Sequence, residues 1–185
     1  MANFTPSAAW HWLTIDKRLA LRYGISQAEV HQTPVTPVSH ATGHAADATN
    51  ALGFTLEHAE LFWTFWHALE PLQYSEAGRF AAAIDATACV SFMQQQGQKS
   101  WHFQAVSASY RPHTCNLVLL AGQDSALALV IEAGEQSSLV LLLDNILSLS
   151  GKQLTGGQAI LVLNNRLIAW QPQASRHTPL LPKTA

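Results

Sequence analysis

The period of the apolar residues changes once along this chain, and that change limits the folds open to it. From Leu117 to Trp170, six short apolar runs follow one another: Leu117–Leu120, Ala126–Ile131, Leu139–Leu143, Ile146–Leu149, Ala159–Leu163 and Leu167–Trp170. Gly122, Gly134, Asp144-Asn145, Gly151, Gly156-Gly157 and Asn164-Asn165 separate them. Turn signals this closely spaced leave no room for helices. They predict an antiparallel meander that closes into a small barrel or sandwich.

The first half reads differently. "AWHWLTI" (Ala9–Ile15) alternates bulky and polar side chains and predicts a strand. Asp16-Lys17 forms a candidate tight turn into "RLALRY" (Arg18–Tyr23), where Leu19, Leu21 and Tyr23 share one face and Arg18, Ala20 and Arg22 the other. The second strand of this hairpin is expected at a sheet edge. Residues 24–54 have no clear period and predict a long loop with one short strand near Val35–Val38.

Two helices are predicted next. Thr55 is the expected N-cap of the first, with Glu57 in its first turn and Pro71 as its stop. Glu57, Glu60, Thr64 and His67 form its narrow polar stripe, and apolar side chains around the rest predict burial on more than one side. Ser75 is the expected N-cap of the second, whose apolar face is Phe80, Ile84, Ala88 and Phe92, with Gly97 as its C-cap. The fold class is therefore α+β. A β-hairpin and two helices form an α/β domain at 1–97, a barrel-like all-β domain occupies 98–170, and a proline-containing tail runs over 171–185.

Composition restricts function more than it defines it. Charged residues are 12% of the 185 and the net charge is −2, which leaves little electrostatic footprint for nucleic acid or a membrane surface. The charge is uneven. Residues 1–92 hold eight acids against four bases, and residues 93–185 four acids against six bases, so an acidic partner prefers the second half. No positively charged segment followed by an apolar core opens the chain, and no apolar run approaches the roughly 20 residues of a membrane helix. A cytoplasmic protein is expected, with Cys89 and Cys115 as reduced, packed thiols.

The chain has no phosphate loop, nucleophile elbow or Cys-x-x-Cys pair. His40 and His44 with Asp47 have a metal-like spacing but no third or fourth ligand beside them. No catalytic set, cofactor or metal is expected. Between the two halves lies "QKSWHFQ" (Gln98–Gln104), where a bland polar connector is the norm. Aromatics here serve either as glue between the halves or as the wall of a partner groove.

These segments carry a resemblance. "WHW" (Trp10–Trp12) with "RLALRY", "LEHAELFWTF" (Leu56–Phe65), "KSWHF" (Lys99–Phe103), "LALVIEAGEQSSLVLLL" (Leu127–Leu143) and "GQAILVLNNRL" (Gly157–Leu167) occur in the order seen in the ZapC family of cell-division proteins, which the chain resembles. The resemblance implies a non-enzymatic regulator that binds the tubulin-like protein FtsZ, promotes lateral bundling of its filaments and stabilises the Z-ring at midcell. The expected partner-binding residues are Arg18, Leu21, Arg22, Lys99, Trp101, His102, Phe103 and Arg166. The protein is expected to act as a monomer, with no nucleic acid or membrane as partner. The alternative is a β-barrel module for single-stranded nucleic acid or a small ligand.

Overall fold

Asp16 and Lys17 both adopt positive φ (49° and 63°), and this reversal sets up the first sheet. It joins β1 (His11–Ile15) to β2 (Arg18–Arg22) as an antiparallel hairpin with Ile15 opposite Arg18. Two consecutive left-handed residues match the twist of the flanking strands, which is why hairpins prefer such turns. The structure, a computed structural model, describes residues 4–24, 29–36, 52–94, 97, 102–106 and 110–172. β3 (Val30–Gln32) pairs with the far side of β2, and β4 (Leu52–Gly53) pairs with β1, giving the order β3-β2-β1-β4. β2 is thus an interior strand rather than an edge, because β3 returns to pair with it. The short strand expected near Val35–Val38 lies earlier, at β3. Val35 is a buried loop residue whose carbonyl accepts from Leu19 N, and Val38 lies outside the described residues.

The helices α1 (Leu56–Ala68) and α2 (Glu76–Phe92) start where the sequence signals them. Thr55 Oγ1 accepts from His58 N, and Ser75 Oγ accepts from Gly78 N. α2 ends at Phe92, short of Gly97, with Met93 extended. Its apolar face is complete by then, and the following Gln94 has nothing to bury.

The burial of the two helices reverses the expectation. α1 buries Phe62 and Phe65, while Leu56 is exposed and Trp63 and Trp66 are half-buried. α2 buries Phe80, Ala83, Ile84, Ala86, Thr87, Ala88 and Cys89, positions that spread around more than half its girth at 100° per residue. The alanine-rich helix is the one held between neighbours. Short side chains let backbones approach closely on several sides, whereas α1 carries more bulk than one buried face can take.

The second sheet holds β5 (Leu117–Ala121), β6 (Ser125–Glu132), β7 (Ser137–Leu142), β10 (Ala159–Leu163) and β11 (Ile168–Ala169), in the order β10-β7-β6-β5-β11. A separate ribbon pairs β8 (Ile146–Leu147) with β9 (Gln153–Leu154). β10 and β11 are consecutive in the chain yet lie at opposite edges. In a flat sheet four strand spacings of ~4.8 Å would separate them by about 19 Å. The link contains a 3-10 turn at Asn164–Arg166, and such a short link spans only about 10 Å. The sheet therefore curls into a barrel-like form, although β10 and β11 are not bonded to each other.

Curling gives the sheet two apolar faces. Ala126, Ala128 and Val130 of β6, Val140 and Leu142 of β7, and Ile160 and Val162 of β10 line the inside together with Phe103 and Leu167. Leu117, Leu129, Ile131, Leu141 and Ala159 face outward and join the core that holds Trp10, Trp12, Leu21, Phe62, Phe65 and α2. One core is thus built from both halves of the chain.

Two measurements test local features. Lys17→Gly removes a side chain from a left-handed position and is expected to stabilise by about 0.4–1 kcal/mol, read as a higher urea midpoint with unchanged slope. The second concerns His58, whose Nδ1 accepts from Thr55 N (3.1 Å) and Trp12 Nε1 (3.3 Å). Burial pushes this imidazole below its usual value, against a smaller upward pull from Glu57. The unfolded chain then takes up this proton first as pH falls through about 6.5. Stability from this group is complete above that pH and is lost below it. His58→Gln, whose side chain accepts at any pH, is expected to flatten the fall between pH 7.5 and 5, and an equally steep fall in parent and variant would refute this assignment.

Candidate partner-binding surface

The seam after α2 becomes part of the curled sheet's rim. Phe103 is 1% exposed and fills the inside of the sheet. His102 is also buried, and its Nδ1 lies 3.2 Å from Ser150 Oγ, which is 3.1 Å from Ser148 Oγ. Leu149 N donates to His102 O, and Lys152 N donates to Ser148 Oγ. These bonds fasten the seam to the β8–β9 ribbon. Gln104 N donates to Ala121 O and Val106 N to Asn165 O, so residues 102–106 bridge the end of β5 and the turn after β10.

Arg166 completes the arrangement. Its Nη1 donates to Phe103 O at 3.1 Å, while its Nε is buried without an acceptor among the described residues. The preceding turn is anchored by Asn164, which is 7% exposed. Asn164 Oδ1 accepts from Ser138 Oγ at 2.8 Å, and Nδ2 donates to Gly134 O and Glu135 O. Asn164 N donates to Gln136 O. A buried amide with all these groups paired has little freedom, so it fixes the direction from which Arg166 leaves the turn.

The structure therefore brings His102, Phe103 and Arg166 together. Lys99 and Trp101 lie outside the described residues, as do His40, His44 and Asp47. Arg18, Leu21 and Arg22 sit on β2, in the other sheet. Leu21 is fully buried and belongs to the shared core, Arg18 is exposed, and Arg22 is half-buried with Nε lacking an acceptor among the described residues. Among the described residues no group of three or more His, Cys, Asp or Glu could hold a metal, and no helix is long and apolar enough to cross a membrane.

Sequence reasoning missed two contributors. Asn164 read only as a turn residue, because its amide partners are distant in the chain. The second is a half-buried polar link, where His31 Nε2 of β3 meets Asp85 Oδ1 of α2 at 2.8 Å. Burial raises the Asp85 carboxyl, and the hydrogen bond and charge of His31 oppose that rise. Asp85 also lines a cleft of about 430 Å³ between α2 and the β7 end, with Tyr74, Asp144 and Gly157. Cys89 one turn on is pushed up to about 12 by burial, then by Asp85, so its thiol stays protonated and unreactive.

Fold and surface together define a mixed α+β protein whose candidate surface joins His102, Phe103 and Arg166 at the rim of the curled sheet. A family profile, "Cell-division protein ZapC, C-terminal", matches residues 96–173. The cell division protein ZapC of Shewanella frigidimarina is 32% identical over 167 residues, covering 88% of this chain and 91% of the relative. That of Proteus mirabilis is 26% identical over 182 residues, covering 96% and 97%, and that of Musicola paradisiaca 28% over 166, covering 88% and 87%. The chain belongs to the ZapC family of cell-division proteins.

Asn164→Ala is expected to destabilise by about 1–3 kcal/mol, because Ser138 and two carbonyls lose a buried partner. Chemical denaturation measures it; a loss below about 0.5 kcal/mol would show that the turn holds without the amide.

Proposed function

We propose that this chain binds FtsZ filaments directly, promotes their lateral association and acts at the division ring at midcell without catalysing a reaction. Membership of a cell-division family supports a role in division. The observation that carries the finer reading is Arg166. Its guanidinium is held by Phe103 O at the rim of the curled sheet, has no carboxylate within 4 Å among the described residues, and lies in the more basic half of the chain. Arginine in a fixed orientation beside packed aromatics is the residue pattern that dominates protein interfaces. Lys99 and Trp101 belong to the same seam in this proposal, and Arg18 and Arg22 on β2 form a second contact region that Leu21 supports from the core.

The division into an α/β domain at 1–97 and a β domain at 98–170 enters the proposal as two contact surfaces on one monomer. Cutting between them is a poor test, because it would expose Leu117, Leu129, Ile131 and Leu141 where they meet the first half's core. The alternative of a small ligand inside the barrel finds no support, since Phe103, Val130, Leu142 and their neighbours occupy that interior.

Co-sedimentation with polymerised FtsZ tests the reading. Lys99→Asp is expected to weaken binding by about tenfold, equivalent to ~1.4 kcal/mol, with unchanged thermal melting. Arg18→Glu in the same background is expected to abolish bundling seen by light scattering. A parent protein that stays in the supernatant would overturn filament binding, and a fully active Lys99→Asp protein would remove the seam from the site.

A further inference from the structure

Between Arg22 and Lys99, Arg79 is the only lysine or arginine in the chain, and Glu57, Glu60, Glu70, Glu76 and Asp85 lie on or beside the same two helices. Arg79 nevertheless makes no ion pair with any of them. Its guanidinium carbon lies 5.3 Å from the centroid of the Trp66 ring, and its Nε is buried with no acceptor among the described residues. Trp66 stands edge-on to Trp63 at 6.0 Å, and Trp63 stacks on His67 at 5.9 Å. Both tryptophans are half-buried and His67 is exposed. His67 Nδ1 meets Glu70 Oε1 at 2.9 Å, so that carboxylate is engaged elsewhere.

An arginine held over an indole keeps its planar fork oriented at little entropic cost. Here the fork is oriented and its charge has no carboxylate within 4 Å among the described residues. We propose that Trp63, Trp66 and Arg79 form a docking platform for a peptide segment of a protein partner that presents one carboxylate flanked by apolar side chains. The carboxylate meets the guanidinium, and the apolar side chains cover the half-buried indoles. Charge decides against a polyanion: with Glu57, Glu60, Glu70 and Glu76 on or beside the same two helices and one arginine among them, a nucleic acid or an anionic membrane meets net repulsion, whereas one carboxylate needs only Arg79. This surface is on the helices, apart from both regions assigned to filaments above, and stands whether or not filaments bind.

The test uses the full chain and NMR of the Arg79 Nε–Hε and Trp66 Nε1–Hε1 groups. The probe is the capped tetrapeptide Leu-Asp-Phe-Leu, with an analogue carrying Asn in place of Asp. Saturable shifts of both groups are expected at about millimolar peptide, the range for an isolated short segment. The Asn analogue and an Arg79→Lys protein that melts like the parent are each expected to bind at least ~5-fold more weakly, since lysine lacks the planar fork. No shift at ~10 mM peptide, or equal shifts from the two peptides, overturns the proposal. Larger shifts with inorganic polyphosphate would assign the platform to a polyanion instead, and shifts that grow with protein concentration alone would assign it to a second copy of the chain; either result overturns the proposal.

Discussion

The rest of the molecule depends on a helix with little bulk of its own. α2 lies against α1, against the first sheet's core residues and against the outward face of the curled sheet, and it buries Ala83, Ala86 and Ala88 completely beside the larger Phe80 and Ile84. Close packing of this kind adds many small dispersion contacts to those of the large side chains. It also explains why β6 is apolar on both faces. Ala128 and Val130 point into the curl while Leu129 and Ile131 point at the helix layer. Gly157 follows from the same crowding: it has φ +85°, and a Cβ there would lie 3.3 Å from Asp85 Oδ2. β3, α2 and the β9–β10 turn thus converge on Asp85, which explains why burial raises that carboxyl while His31 offsets part of the effect.

Features set by near neighbours in the chain were legible in the sequence. Thr55 and Ser75 cap their helices because a short hydroxyl side chain before an apolar run answers unpaired N–H groups locally. Asp16-Lys17 reads as a turn for a similarly local reason, and the change to a strand period after Gly97 needs only a count of turn residues. Features set by distant segments were not legible. α1 has the more apolar girth, yet α2 is the enclosed helix, because burial depends on how closely a backbone can approach as well as on side-chain hydrophobicity. β2 becomes interior only when β3 returns to it, after a stretch without a readable period. The pairing of β11 with β5, rather than with its chain neighbour β10, belongs to the curl and leaves no mark in either strand.

The candidate site divides along the same line. Phe103 and Arg166 are 63 positions apart and meet at one carbonyl, a contact that periodicity cannot reveal; Phe103 stood out in the sequence only as an aromatic in the seam. Alternation along β2 already sets Leu21 on the face opposite Arg18 and Arg22, and Leu21 is sealed in the core, where it holds β2 in place. Trp63 and Trp66 went the other way. They belong to the apolar girth that predicts burial of α1 on more than one side, yet they are half-buried against the core, with Trp66 beside Arg79. Bulk in excess of what a helix face can bury remains at the surface, where it is available for contact.

A shared core also bears on how one molecule could hold two filaments together. Bridging requires two contacts per unit, from a dimer with one site or from a monomer with two. In a monomer whose halves were joined by a slack linker, the second contact would form at an effective concentration set by linker length and would tolerate many filament spacings. Here Trp10, Phe62, α2, Leu129 and Leu141 belong to one apolar cluster, so moving the halves apart would uncover large apolar side chains, each worth about 1.5–3 kcal/mol of burial. The surface on β2 and the rim at Arg166 are therefore held at one separation and one relative angle. On the filament-binding reading, that rigidity favours a single lateral spacing between neighbouring filaments. Weak contacts at each surface then suffice, because the protein need not lose further freedom when the second surface engages.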